Sequence, residues 1–203
     1  PLPKTMNGAW GVRRNYQAHA EEMGGVAPST PKFFFMPSSA VVEADDDGIV
    51  AIALGNQENQ IEHEVELVVQ LGKDLEPLLM AVGCDTTDRT AQAVAKSKGT
   101  SWLQAKGFPG AAVVGTWVAY KSENYDIGLS VNGEVKQLSN TSLMVHSVDA
   151  LISALSKIED LSEGDLIFTG TPAGVGPLSA GDKVSAWLKD ESNNILSRFD
   201  GIC

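Results

Sequence analysis

Ile61-Glu62-His63-Glu64-Val65-Glu66-Leu67-Val68-Val69 sets three carboxylates at alternate positions of a segment rich in β-branched and apolar residues. That composition reads as a strand, and side chains two apart on a strand share a face. Glu62, Glu64 and Glu66 then point one way, and His63, Val65 and Leu67 the other. Three like charges on one face resist burial unless something positive lies between them. A hard divalent cation held through oxygen ligands meets that need. Water meets it equally if the face is the solvated side of an edge strand.

Other stretches carry chemistry of their own. Gln17 to Met23 is a helix former closed by Gly24-Gly25, which puts His19 and Glu22 three apart on one face. A carboxylate there can orient an imidazole for general-base work; an ordinary surface pair is the plain alternative. The helix is short and flanked by Gly and Pro, so it could act as a mobile lid. Asp85 reads as the N-cap of a helix reaching about Lys98-Gly99, with Asp85, Arg89 and Gln92 on one stripe. Carboxylate, guanidinium and amide could together serve a metal and an anionic substrate, or amount to a cap and a surface arginine. Lys106 stands alone among apolar and turn residues, either as a partly buried site cation or snorkelling to solvent. Thr169 to Gly176 is a Gly-rich loop after a strand at Gly164 to Phe168. It can offer backbone N–H groups to an anion, but lacks the glycine spacing of a nucleotide fingerprint.

The elements that must position these groups are mostly strands. Ala9 to Val12 is weakly strand-like within a lead-in over residues 1–15, and Phe33-Phe34-Phe35 reads as buried strand inside a Pro- and Ser-containing loop. Asp45-Asp46-Asp47-Gly48 marks a solvated turn before a strand over Ile49 to Leu54. Leu75 to Val82 is a further apolar stretch, residues 111–120 read as strand, and Asn132-Gly133 turns a hairpin. Ser147 caps a helix whose Val148, Leu151, Ile152, Leu155 and Ile158 repeat at helical spacing and face the core. His146 before it reads as structural. Val184 to Leu188 and the tail supply the last strands.

Bulk properties narrow the class. A chain of 203 residues with 43% hydrophobic composition can bury one core, so one domain over 1–203 is expected, with the possible lid helix inside 1–25. Twenty Gly and nine Pro imply many turns and favour a β-rich fold. A net charge of −11 argues against nucleic acid and anionic membranes as partners. No apolar run reaches membrane-spanning length, and the first residues show no signal-peptide pattern. Cys84 and Cys203 give no disulfide framework, which fits a reducing cytoplasm.

Five pieces occur in one order: Asn15-Tyr16 with His19-x-x-Glu22; His63-Glu64-Val65-Glu66-Leu67; Asp85-x-x-x-Arg89-x-x-Gln92; Lys106; and Gly164-Asp165-Leu166-Ile167-Phe168-Thr169-Gly170-Thr171-Pro172-x-Gly174-Val175-Gly176. Together, over roughly residues 10–190, they resemble the fumarylacetoacetate hydrolase superfamily, specifically its short acylpyruvate hydrolase and oxaloacetate decarboxylase branch. The resemblance implies an α+β, β-rich fold: a mixed β-sheet roll with short flanking helices, usually a homodimer, with one Mg²⁺ or Mn²⁺ per subunit. It implies Glu64, Glu66 and Asp85 as metal ligands, and His19 with Glu22 as a water-activating dyad on a lid. Lys106 joins the catalytic groups, Arg89 and Gln92 contact substrate oxygens, and Gly170-Thr171 receives a carboxylate. Glu62 has no role in that pattern and is expected to be solvated. Two positions depart from it: Met36 stands where many relatives have Lys, and Ala18 where many have Asp. The implied activity is metal-dependent cleavage of a carbon–carbon bond in a 3-acylpyruvate such as acetylpyruvate or fumarylpyruvate. Alternatives are oxaloacetate decarboxylation, isomerase or hydratase action on a 2-oxo-dienoate, or a metal-dependent protein that binds a small 2-oxo acid without turnover.

Overall fold

The computed structural model describes residues 8–203; positions 1–7 of the lead-in lie outside the described residues. In chain order the elements are β1 (Gly8–Val12), α1 (Gln17–Glu22), β2 (Phe33–Pro37), β3 (Val41–Glu43), β4 (Ile49–Ala51), β5 (Ile61–His63), β6 (Val65–Leu71), β7 (Pro77–Asp85) and β8 (Thr87–Asp88). They continue with α2 (Arg89–Lys98), α3 (Leu103–Lys106), β9 (Ala112–Val114), β10 (Val118–Ala119), β11 (Asp126–Val131) and β12 (Glu134–Asn140). The chain closes with α4 (Val148–Leu155), β13 (Leu166–Phe168), β14 (Gly176–Leu178), β15 (Lys183–Lys189) and β16 (Ile195–Ile202).

Three sheets result, the larger two mixed and the smallest antiparallel throughout. An eight-stranded sheet runs β2-β1-β13-β6-β7-β9-β3 with β10 also on β7; a five-stranded sheet runs β12-β11-β15-β16-β4; a three-stranded one runs β14-β5-β8. The larger two pack on each other. Val65, Leu67 and Val69 of β6 and Met80, Val82 and Cys84 of β7 meet Ile127, Leu129, Ala186, Leu188 and Phe199 of the second sheet. The opposite face of β6 is buried too, Val68 lying with Ala9, Met36, Ala81 and Phe168. Every residue of β6 is therefore buried, as expected of a strand covered on both faces. Its inward glutamate lies in a protein interior, which excludes the solvated edge-strand reading.

Several expectations need correction. The segment Ile61 to Val69 is not one strand: β5 pairs with β14 and β8, and β6 with β7 and β13, so the ladder changes partners at Glu64. Asp85 is the last residue of β7 and not a helix cap; Asp88 caps α2, its Oδ1 accepting the Ala91 N–H at 2.8 Å. Two aspartates three apart offer the same cap chemistry, and only the strand register decides between them. The helix after Ser147 ends at Leu155, leaving Ile158 65% exposed rather than in the core. The strand expected over Ile49 to Leu54 stops at Ala51, and residues 111–120 contain two short strands instead of one. The Asn132-Gly133 hairpin is present, both residues at positive φ as a two-residue turn of that type needs.

Candidate functional site

The site forms where β6 and β7 run side by side. Val65 lies opposite Cys84 and Glu66 opposite Gly83, and the Asp85 N–H donates to Glu64 O at 2.9 Å. Directly paired residues of an antiparallel ladder share a face, so this register puts Glu64, Glu66 and Asp85 on one side. Gly83, across from Glu66, leaves no room for a side chain: a Cβ there would meet Val113 O at 2.7 Å. One ligand atom from each of the three carboxylates lies within 4.8 Å of the others, and all three residues are buried.

Two cations bear on this centre. Lys106, at the end of the one-turn helix α3, is 2% exposed; its Nζ donates to Glu64 Oε2 (2.7 Å), Asp85 Oδ2 (2.6 Å) and Thr87 Oγ1 (2.6 Å). That contact set excludes the snorkelling alternative. Arg89 opens α2 and reaches both Glu62 Oε2 (2.5 Å) and Glu64 Oε1 (2.6 Å). Glu62 is thus not solvated; its side chain is 13% exposed and paired. The reason is the partner change at Glu64, which carries Glu62 onto the three-stranded sheet beside the start of α2.

Glu62, Glu64, Glu66 and Asp85 face only these two cations, leaving two formal negative charges in excess. The electrostatics follow. Burial favours the neutral acid at Glu64, but Lys106 and Arg89 outweigh it and hold that carboxyl down at about 2. At Asp85, burial with help from Glu64 prevails over Lys106 and raises the carboxyl to about 7. Glu66 lies well above the ordinary carboxylate range, pushed there by burial and then by Asp85 and Glu64. Without a metal, the protein relieves the excess by keeping protons on these two groups.

A divalent cation fits the same place. The donors are hard carboxylate oxygens, the charge deficit is two, and Asp85 Oδ1 is buried with no hydrogen-bond partner. Oxygens around such an ion at about 2.0–2.6 Å lie roughly 3–5 Å apart, the spacing already present.

The other expected residues gather about one cleft. His19, Glu64, Glu66, Arg89, Gln92, Lys106 and Thr171 all line it, with Phe34 and Trp102. His19 Nδ1 lies 3.1 Å from Glu22 Oε2, and Glu22 Oε1 accepts the Gly174 N–H at 3.0 Å. A carboxylate on Nδ1 selects the tautomer with its proton there and leaves Nε2 as acceptor. Gln92 Oε1 accepts from Arg89 (3.2 Å) and Lys96 (3.0 Å). Gly170 is used differently than expected: its N–H donates to Glu66 Oε2 at 2.7 Å and so is already occupied. Glycine is required there, at φ +101 with Asn15 Cβ 2.7 Å from where a Cβ would sit. Met36 is fully buried in the core and does not line the cleft.

Gln137 is a residue that sequence reasoning passed over. It is the one buried position of β12. Its Oε1 accepts from the Val65 N–H (2.9 Å) and lies 2.9 Å from His63 Nδ1, while its Nε2 donates to Thr171 Oγ1 (2.8 Å) and Pro172 O (3.0 Å). One amide thereby ties the strand break at Glu64 to the loop carrying Thr171. The available signal was weak: a glutamine four residues past the Asn132-Gly133 turn, in a strand whose other positions are exposed or half-buried.

Residues 8–195 match the family described as Fumarylacetoacetate (FAA) hydrolase C-terminal. The chain is 36% identical over 191 residues to oxaloacetate tautomerase FAHD1, mitochondrial, of Bos taurus, a match covering 87% of this chain and 85% of that one. It is 35% identical over 191 residues to oxaloacetate decarboxylase, mitochondrial, of Dictyostelium discoideum, covering 87% and 86%. Fumarylpyruvate hydrolase from Pseudomonas aeruginosa, solved in complex with Mn²⁺ and pyruvate, superposes with a TM-score of 0.86 at 29% identity, covering 99% of this chain and 94% of that one.

Proposed function

This chain belongs to the fumarylacetoacetate hydrolase family, and from that premise we propose that it hydrolyses a 3-acylpyruvate to pyruvate and a carboxylic acid with the help of a divalent ion. The observation that carries the reading is the meeting, at one cleft, of a buried carboxylate triad with its negative charge in excess and an imidazole oriented by a carboxylate.

Glu64, Glu66 and Asp85 would hold Mg²⁺ or Mn²⁺, which supplies Lewis-acid stabilisation to negative charge developing on the 2-oxo oxygen. His19, proton on Nδ1, takes a proton from water at Nε2, and Glu22 stabilises the imidazolium that forms. The hydroxide adds to the distal carbonyl carbon. The bond from that carbon to C3 then breaks, releasing the carboxylic acid as the electron pair passes toward the 2-oxo oxygen, and the proton held by the His19 imidazolium returns to C3 to give pyruvate. Lys106 adds a fixed positive charge beside the triad. Thr171 Oγ accepts from Gln137, and its hydroxyl makes only a long contact to Pro172 O at 3.4 Å, which it would exchange for the substrate carboxylate. Glu22 anchors α1 to the loop at Gly174, which supports a lid role for that helix.

The names of the relatives favour a second reading, in which the same groups decarboxylate or tautomerise oxaloacetate. Decarboxylation develops the same charge at the 2-oxo oxygen but needs no water. The test is metal-dependent pyruvate release from acetylpyruvate, fumarylpyruvate and oxaloacetate, with enol–keto conversion of oxaloacetate followed by absorbance. His19→Ala is expected to slow acylpyruvate hydrolysis by about 10²–10⁴ while sparing part of any decarboxylation. Activity on oxaloacetate alone would replace the first reading with the second. Metal-dependent binding of 2-oxo acids without turnover of any of them would replace both.

A further inference from the structure

The mechanism accounts for the inner wall of the cleft but not its mouth. Arg13, Arg14 and Lys96 line the same cleft, and among the described residues none of them forms an ion pair with a carboxylate. The Arg13 guanidinium carbon lies 4.2 Å from the centre of the Trp102 ring, and Lys96 Nζ lies 5.3 Å from the same centre. One indole therefore holds two cations close together. Lys96 donates to a neutral acceptor, Gln92 Oε1, and Arg14 makes a long contact to Met23 O at 3.4 Å. Partial burial, followed by repulsion from Arg89, Arg13 and Arg14, disfavours the charge on Lys96; burial and then Arg14 act likewise on Arg13. The chain has 26 acidic side chains against 15 Lys and Arg, so carboxylates are in ample supply elsewhere. Three cations left without one at a single opening repel each other, and a ligand anion placed among them would relieve that repulsion.

We propose that the mouth of the cleft is a subsite for a second carboxylate, with Arg13 and Lys96 as specificity-determining residues and Trp102 as the platform that holds them. This rests on the 2-oxo acid reading of the cleft and narrows it. The preferred substrate is a dianion whose far end carries a carboxylate, and a 2-oxo acid with a plain alkyl end is a poorer fit. The 2-oxo acid head lies at the acidic centre, and the distal carboxylate reaches back toward Trp102.

The measurement is equilibrium binding to the Mn²⁺-loaded full chain of two ligands, pyruvate and 2-oxoglutarate, which share the 2-oxo acid head and differ by a distal carboxylate. Wild type should prefer 2-oxoglutarate, and Arg13→Gln/Lys96→Gln should reduce that preference by about tenfold, chiefly by weakening 2-oxoglutarate. In turnover, the ratio of kcat/KM for fumarylpyruvate to that for acetylpyruvate should fall in parallel. Added salt should erode the wild-type preference more than the variant's. An unchanged ratio, or equal weakening of both ligands, overturns the subsite, pyruvate serving as the internal check on folding. A wild-type protein that binds neither ligand with Mn²⁺ present overturns the 2-oxo acid reading itself.

Discussion

Replacing Lys106 with methionine removes one charge while keeping the bulk of a fully enclosed side chain. The ammonium makes three contacts of 2.6–2.7 Å, two of them to carboxylates of the triad. Taking away one partner of a buried ion pair strands the other charge and costs about 3–5 kcal/mol. For a chain of this size, each kcal/mol moves the melting temperature by about 2–4 °C, so the metal-free variant should melt about 6–20 °C lower. The deficit should widen as pH rises, because protons on Glu64 and Asp85 can substitute for the missing ammonium only at lower pH. Mn²⁺ should then stabilise the variant more than wild type, since no ammonium competes for Glu64 Oε2 and Asp85 Oδ2. Differential scanning calorimetry with and without Mn²⁺, at pH 5.5 and 8, reads all of this. A metal-free variant that melts with wild type, or equal Mn²⁺ shifts in both proteins, refutes the view of Lys106 as counter-charge to the triad.

Two further outcomes follow from the same charges and contacts. Asp85 and Glu66 hold protons in the folded metal-free protein that the unfolded chain has lost, so metal-free stability should fall as pH rises from 6.5 through Asp85's value of about 7. Glu64, depressed to about 2, contributes the opposite slope only in acid, and His63, lowered chiefly by burial, does so only below pH 6.5. Mn²⁺ affinity should rise over the window where stability falls, since binding displaces those protons; a metal-free melting temperature that climbs from pH 6.5 to 8 contradicts the account. Gln137→Leu should leave the buried Val65 N–H without its partner at about 1–3 kcal/mol and loosen the strand break at Glu64. Mn²⁺ titration followed by electron paramagnetic resonance should show weaker binding than wild type, and unchanged affinity would mean the amide does not position the triad.

Much of this protein can be read from its chain. Alternation in Ile61 to Val69 put Glu64 and Glu66 on one face because the pleat has a period of two, and the structure keeps them there. Helical spacing paired His19 with Glu22 and Arg89 with Gln92, since such pairs depend only on local geometry. The Asn132-Gly133 turn and the Ser147 cap follow equally from local backbone preferences. What local rules could not supply was anything set by a neighbour distant in sequence. Whether Asp85 or Asp88 caps α2 depended on how far β7 stays paired with β6. Glu62 was drawn out of solvent by an arginine 27 positions away, and the Gly170 N–H turned to Glu66 across 104. Residue types and their spacing fixed which groups could do chemistry. Only the packing of strands remote in the chain decided which of those groups meet, because an electrostatic contact depends on distance in space and the sequence records only distance along the backbone.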